Sequence, residues 1–432
     1  MTNGKAITLG LQHLLAMYAG AILVPLTIGK ELGFSDEQVT YLVAIDILMC
    51  GVATLIQAMR GKFFGIGLPV VLGCTFTAVF PIIAIGKNNG IDAIYGAIIA
   101  SGLIVILISG IFGKLVKFFP PVVTGSVVTI IAISLVPVAM NNMGGGQGAP
   151  DFASASNIAL ALITLLIILV IYRFASGFIR SISILLGLIL GTIVGIFMGK
   201  VDFSPVAEAG WFHMVKPFYF GTPAFDPASI ITMTLVAMVS LVESSGVYFA
   251  LGDIEKKKIT SGDLARGYRS EGLASVIGGI FNAFPYTTFS QNVGLIKMTG
   301  VKERKVIFIT GGMLVALGFF PKIAALTTII PTAVLGGAML AMFGMVLTQG
   351  ITMLAPEILK SPENTMIVAI SVALGAGVAF VPDIFKVLPD SLSILTSNGI
   401  VCGSVSAIVL NVLFNMIGPK KEKSLQAGAI KE

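Results

Sequence analysis

Charge is scarce in this chain. Only 11% of its 432 residues are Asp, Glu, Lys or Arg, against 56% hydrophobic. A soluble domain carries roughly a quarter charged residues. The mean hydropathy of +0.99 therefore argues for lipid rather than water as the solvent. Histidine is nearly missing: His13 and His213 are the only two. The three cysteines, Cys50, Cys74 and Cys402, lie far apart in apolar runs and make no metal-ligand spacing. They read as small core residues, and no metal is expected. No Walker loop, nucleophile elbow or paired-histidine helix occurs, which argues against a self-contained ATP-driven pump and against an enzyme. The net charge of +6 comes from basic residues scattered through short loops, without the stripe or motif of a nucleic-acid module. The N-terminus, Met-Thr-Asn-Gly-Lys, enters the first apolar run with no small-residue cleavage site, so that run is expected to stay.

What fills the chain instead is apolar segments. A spanning helix needs about 20 mostly apolar residues, and about 14 segments qualify. In the first half they cover roughly 7–28, 39–59, 67–86, 91–112, 119–140, 157–172 and 180–199. In the second they cover roughly 228–250, 265–283, 286–299, 305–320, 325–347, 364–381 and 391–416. The third and tenth are poor helices. The third opens with Gly65, Gly67, Pro69 and Gly73, and the tenth follows Pro285 and contains Gly294. Each begins with β-prone residues, Val70-Val71 and Tyr286-Thr287-Thr288-Phe289, before turning helical. Each reads as a short strand followed by a half helix. Irregular backbone survives at membrane depth only where it is buried in protein or lines a cavity.

With the N-terminus in the cytoplasm and the segments alternating, Arg60, Lys62, Lys114, Lys117, Arg173, Arg180, Lys256 to Lys258, Arg266, Arg269, Lys302, Arg304 and Lys305 fall inside. That is the asymmetry the positive-inside rule expects. The loop at 200–227, with Trp211 and His213, falls outside. The halves also resemble each other. Pro120-Pro-Val-Val-Thr-Gly opens the fifth segment and Pro331-Thr-Ala-Val-Leu-Gly the twelfth, and the two broken segments are likewise seven apart. An odd number of spans per half predicts an inverted repeat, whose matching interrupted segments build a midplane site.

The tenth segment carries the most specific pattern. Gln291-Asn292-Val293-Gly294, four residues, then Thr299-Gly300 resembles the signature of the nucleobase–ascorbate transporter family, also called nucleobase:cation symporter-2. Gln12-His13, the carboxylate Glu243, and Gly-Ile-Phe-Asn-Ala-Phe-Pro ahead of the signature extend the resemblance over nearly the whole chain, most strongly to bacterial xanthine permeases. The resemblance implies an all-α polytopic fold of fourteen segments, seven plus seven inverted, with short strands in the third and tenth. It further implies a core domain (1–112 and 228–320), a gate domain (113–200 and 321–416), an extracellular loop (201–227) and a cytoplasmic tail (417–432). Family members are dimers, so a homodimer in the cell membrane with both termini cytoplasmic is expected.

The individual residues have chemistry of their own. A carboxylate inside a membrane segment is costly and is by default a functional group. Glu243, ionised, only accepts hydrogen bonds and suits purine N–H groups; protonated, it is neutral, which makes it the expected proton-coupling site. Gln291 matches the alternating N–H and C=O edge of xanthine. Its amide, where the uracil branch has Glu, favours a purine. By resemblance Phe76 stacks on the base, and the backbone amides of Thr75 and Ser290 bond it. Asn292 and His13 are expected to orient neighbours rather than touch substrate. Glu271 stands where many purine members have Asp, which leaves a supporting role. Val247, where the uracil branch has His, further disfavours uracil. Asp46 is a buried acid without a family role.

The expected function is proton-coupled uptake of a purine, xanthine first, with no cofactor beyond the coupling proton. Urate, guanine or hypoxanthine permease is the nearest alternative. Uracil transport, or anion transport on a related fold, is the more distant one.

Overall fold

The computed structural model describes residues 2–115, 119–385, 387–388 and 398–417. The tail and the beginning of the expected last segment lie outside them. The chain is mostly helical. Among the described residues nine helices are long and apolar enough to cross a membrane, or ten if one sharply bent pair counts as a single span. The protein is therefore a multi-pass membrane protein.

The first half runs through α1 (Asn3–Glu31), α2 (Asp36–Ala58), β1 (Leu72–Cys74), a 3-10 turn (Phe76–Ala78), α3 (Val79–Asn89), α4 (Ile91–Leu115), α5 (Pro121–Met143), α6 (Ala155–Phe174), α7 (Gly177–Ser181) and α8 (Ser183–Phe197). A loop with the short α9 (Ser204–Glu208) follows. The second half runs through α10 (Pro227–Glu255), α11 (Ser261–Ile280), β2 (Tyr286–Thr288), α12 (Ser290–Thr299), α13 (Arg304–Gly318), α14 (Pro321–Thr328), α15 (Thr332–Ile358), α16 (Pro362–Phe380) and α17 (Gly399–Asn411).

Local chemistry sets several ends. Ser35 and Gln38 make a reciprocal capping box at the start of α2, and Thr260 with Asp263 makes another at α11. Proline explains one departure from the sequence expectations. Pro321 opens α14 immediately after α13, and the two helices meet at 81°. The twelfth segment, expected from 325, consequently begins only after Pro331. The seventh segment is also interrupted, at Ile182 between α7 and α8.

Strands β1 and β2 pair antiparallel, Leu72 with Thr288, Gly73 with Thr287 and Cys74 with Tyr286. Both strands are fully buried, so the pairing satisfies backbone that lipid cannot. The helices around them pack in matched pairs. α2 lies against α13, and α4 lies against α11. Each contact closes over glycine. A side chain on Gly51 would meet the Gly311 carbonyl oxygen at 2.6 Å, and one on Gly102 would meet the Gly272 carbonyl oxygen at 2.8 Å. Small residues of this kind let membrane helices approach closely. α5 packs on α15, and α16 on α17.

The candidate substrate cavity

Four helices enclose a cavity of about 360 Å³, and each contributes a stripe at helical spacing. From α10 come Glu243, Gly246, Val247 and Ala250, with Val242 at the edge; from α12 come Ser290, Val293, Gly294 and Lys297. Both sets follow i, i+3, i+4, i+7, one face of a helix. The opposite wall is Thr124 and Val128 of α5 with Gln349 and Met353 of α15. The volume falls within the range of small-molecule sites, about 300–1,000 Å³. Glu243 is half-buried, and among the described residues its carboxylate has neither a hydrogen-bond nor an ion-pair partner.

Behind this face lies a polar network. The Ser244 hydroxyl donates to Glu271 Oε2 at 3.0 Å and lies 3.2 Å from the Thr287 hydroxyl. The Thr288 amide donates to Ser244 Oγ at 3.4 Å. Tyr248 donates to the other Glu271 oxygen, and the Gln57 amide donates in turn to Tyr248 and to the Gly267 carbonyl. Glu271 thus holds α10 at Ser244 and Tyr248, next to and just over one turn after Glu243, joins it to α2 and β2, and does not line the cavity. Tyr248 and Gln57 were not singled out in the sequence. The available signals were a polar Gln within the apolar run of α2 and a Tyr one turn after Ser244.

Asn292 is buried on the other side of α12. Its Nδ2 donates to the His13 carbonyl at 3.0 Å and lies 3.0 Å from His13 Nδ1. A carbonyl only accepts, so the amide nitrogen must face it, and Nδ1 is then the accepting nitrogen. His13 and Asn292 tie α1 to α12 and do not line the cavity. Asn292 Oδ1 and Gln12 Oε1 are buried without partners.

Three expectations meet a different geometry. The Thr75 amide donates to the Pro285 carbonyl at 2.9 Å, so it is committed to the strand pair rather than free for a base. Its hydroxyl caps Thr77 at 3.2 Å and lies 3.4 Å from Ser240, one turn before Glu243. Phe76 is half-buried and meets Phe343 of α15 edge-on, ring centroids 5.9 Å apart. Gln291 is exposed and lies off the stripe that faces the cavity. Among the expected substrate-binding residues, the cavity brings together Glu243 and Ser290.

Cys50 and Cys74 are buried core residues, but they are not far apart in space. The fold brings Asp46, Cys50 and Cys74 together, with their ligand atoms within 4.8 Å of one another. This is a ligand-type cluster that sequence spacing did not suggest, because β1 carries Cys74 back onto α2. The atoms are already engaged. Asp46 accepts from the Phe284 amide at 3.3 Å and from the Cys50 thiol at 3.9 Å, and the Cys74 thiol donates to the Ala21 carbonyl at 3.2 Å. Asp46 therefore links α2 to the segment entering β2.

A family model described as a permease family matches residues 4–384. The chain belongs to the nucleobase–ascorbate transporter family. It is 62% identical to a xanthine permease of Bacillus subtilis, covering 98% of this chain and 97% of that one. It is 59% identical to the uric acid permease PucK of the same organism, over 96% of each chain. It is 33% identical to the xanthine permease XanQ of Escherichia coli, over 95% of this chain and 91% of that one. Two solved structures share the fold. The transmembrane domain of the cyanobacterial bicarbonate transporter BicA has a TM-score of 0.61 at 16% identity, over 95% of this family member and 98% of that chain. SLC26A9 has a TM-score of 0.67 at 11% identity, over 96% and 66%. At those identities the likeness concerns the fold alone.

Proposed function

We propose that the chain carries a purine nucleobase, xanthine first, across the cell membrane in symport with a proton, by alternating access. It is a transporter and not an enzyme in this reading. The observation that carries it is an unpartnered carboxylate, Glu243, facing a cavity of about 360 Å³ between two helix layers. An ionised carboxylate accepts from purine N–H groups; when protonated it resets without a net charge. Relatives named xanthine and uric acid permeases support a purine.

In the same reading the fold has fourteen segments in two inverted sets of seven. The packing exchange supports this: α2 against α13 and α4 against α11 are the pairs an inverted repeat interchanges, each with a glycine contact. Residues 1–112 and 228–320 are the core, and 113–200 and 321–416 the gate. The cavity then lies between core helices α10 and α12 and gate helices α5 and α15. Both termini are cytoplasmic, the loop 201–227 is extracellular, and the transporter works as a homodimer. The α10 and α12 stripes run toward the cytoplasmic ends of those helices, which makes this an inward-facing arrangement.

Uptake of labelled xanthine into a host lacking purine transporters tests the assignment. Saturable uptake, abolished by a protonophore and competed by purines but not by uracil or bicarbonate, is expected. Absence of uptake at normal membrane expression overturns it. Stronger competition by urate than by unlabelled xanthine makes urate the preferred substrate instead.

A further inference from the structure

The substrate chemistry proposed above uses one end of the cavity. Its other end holds Lys297. Seven residues separate Lys297 from Ser290, so it lies about 10 Å further along α12. It is exposed, and among the described residues no acceptor takes a hydrogen bond or ion pair from it. A lysine within a membrane segment is costly and rare, and it faces a partner or a wet cavity that marks a substrate path. Here it is the one basic side chain lining the cavity, and Glu243 is the one acidic side chain.

The wall between them is smooth. Gly246 and Gly294 line the cavity, and a Cβ on either would meet nothing within 4 Å. Both positions open onto free space, which leaves room for a flat ring. Gln349 and Met353 form part of the α15 wall. An ammonium has three donors and no acceptor, and an amide has both. A ring edge with adjacent carbonyl oxygens and N–H groups can meet such a pair.

We propose that Lys297 and Gln349 form a second subsite for an oxopurine, held through its carbonyl oxygens or its anionic edge, on the path between Glu243 and the cytoplasm. This rests on the purine-transport reading. Glu243 selects the N–H side of the base, and Lys297 receives the oxygen-rich side as the base leaves. Lys297 thereby biases the exit path toward oxopurines carrying more oxygen or more negative charge.

The test is sided counterflow of radiolabelled xanthine in proteoliposomes of known protein orientation, with Lys297→Met and Lys297→Arg. Lys297→Met keeps the length and apolar stem of the side chain and removes the charge. Loss of one charge-assisted contact raises the half-saturating concentration roughly tenfold at the face where α12 ends. The opposite face is unchanged, and Lys297→Arg restores the wild-type value. Values unchanged at both faces overturn the subsite while leaving purine transport intact. Equal rises at both faces, or a loss that Arg fails to repair, also overturn it, because they indicate a structural role. A wild type that shows no purine counterflow overturns the purine reading and the subsite with it.

Discussion

The two interrupted segments sit side by side, joined by three strand residues each, yet they end differently. The first closes on itself. Thr75 gives its amide to Pro285, its hydroxyl caps Thr77, and the 3-10 turn runs straight into α3. The second stays open. Phe289 provides no side-chain cap at the start of α12, and Ser290 at that end faces the cavity beside Glu243. An uncapped helix start keeps backbone N–H groups for other partners. The comparison teaches a division in the architecture: one break is braced on itself, and the other opens onto the cavity. The acids follow the same division. Asp46 in the first half is fully buried and bonded to Phe284, whereas Glu243 in the second faces open space without a partner.

The acids therefore give the sharpest way to break the comparison. Glu243→Gln keeps the shape and removes the titration. Proton uptake induced by xanthine in proteoliposomes is expected to vanish, and xanthine affinity to fall roughly ten- to hundredfold for loss of a charged hydrogen bond. Asp46→Asn is expected to lower the melting temperature and to leave the proton-to-xanthine ratio unchanged. If the Glu243 variant still takes up protons at the wild-type ratio, the division is wrong and Asp46 or Glu271 carries the proton.

Much of the fold was legible in run lengths. The second segment, read as 39–59, is α2 over Asp36–Ala58, and the eighth, read as 228–250, is α10 over Pro227–Glu255. Hydrophobic runs report length, because lipid thickness fixes it. They do not report where a helix breaks inside a run, so the break between α14 and α15, inside the run 325–347, leaves no mark in the run length. The site was half legible. The signature named α12, but a motif does not say which face of a ten-residue helix meets the cavity. Ser290 and Lys297 face it, Asn292 faces α1, and Gln291 lies off the stripe. Contacts between distant segments were not legible at all. Cys50 and Cys74 meet only because a strand folds back, and Glu271 of α11 meets the Ser244 and Tyr248 hydroxyls of α10 only because the fold packs those two helices together. One further signal of the repeat lies in the sequence: Gly51-Val-Ala-Thr-Leu-Ile in α2 matches Gly272-Leu-Ala-Ser-Val-Ile in α11.

That match gives the second test, on the part of the molecule where the halves agree. Gly51 meets α13 and Gly272 meets α4, each at backbone distance. Valine at either position forces a side chain into a neighbouring carbonyl, a cost of about 1–3 kcal/mol by overpacking. Gly51→Val and Gly272→Val are expected to lower thermal stability in detergent by similar amounts. A drop confined to one of them would show that the two helix pairs are not equivalent, and would weaken the repeat.

The smallest expected effect concerns the first break itself. Thr75→Val keeps the volume of the side chain but removes the hydroxyl that caps Thr77 and meets Ser240. Loss of such a cap costs about 0.5–2 kcal/mol of stability. The half-saturating xanthine concentration should stay near the wild-type value, because the Thr75 amide is already bonded to Pro285 and its hydroxyl points at α10 rather than into the cavity lining. Ser290→Ala is the matched change at the second break. It removes a hydroxyl that does line the cavity, with no cap to lose, so affinity should weaken by several-fold, the effect of about one neutral hydrogen bond, while the melting temperature holds. The two variants exchange their effects if the comparison is inverted. Weakened xanthine affinity in Thr75→Val at unchanged melting temperature would return the first break to the substrate, and would mean that the strand pair opens during transport.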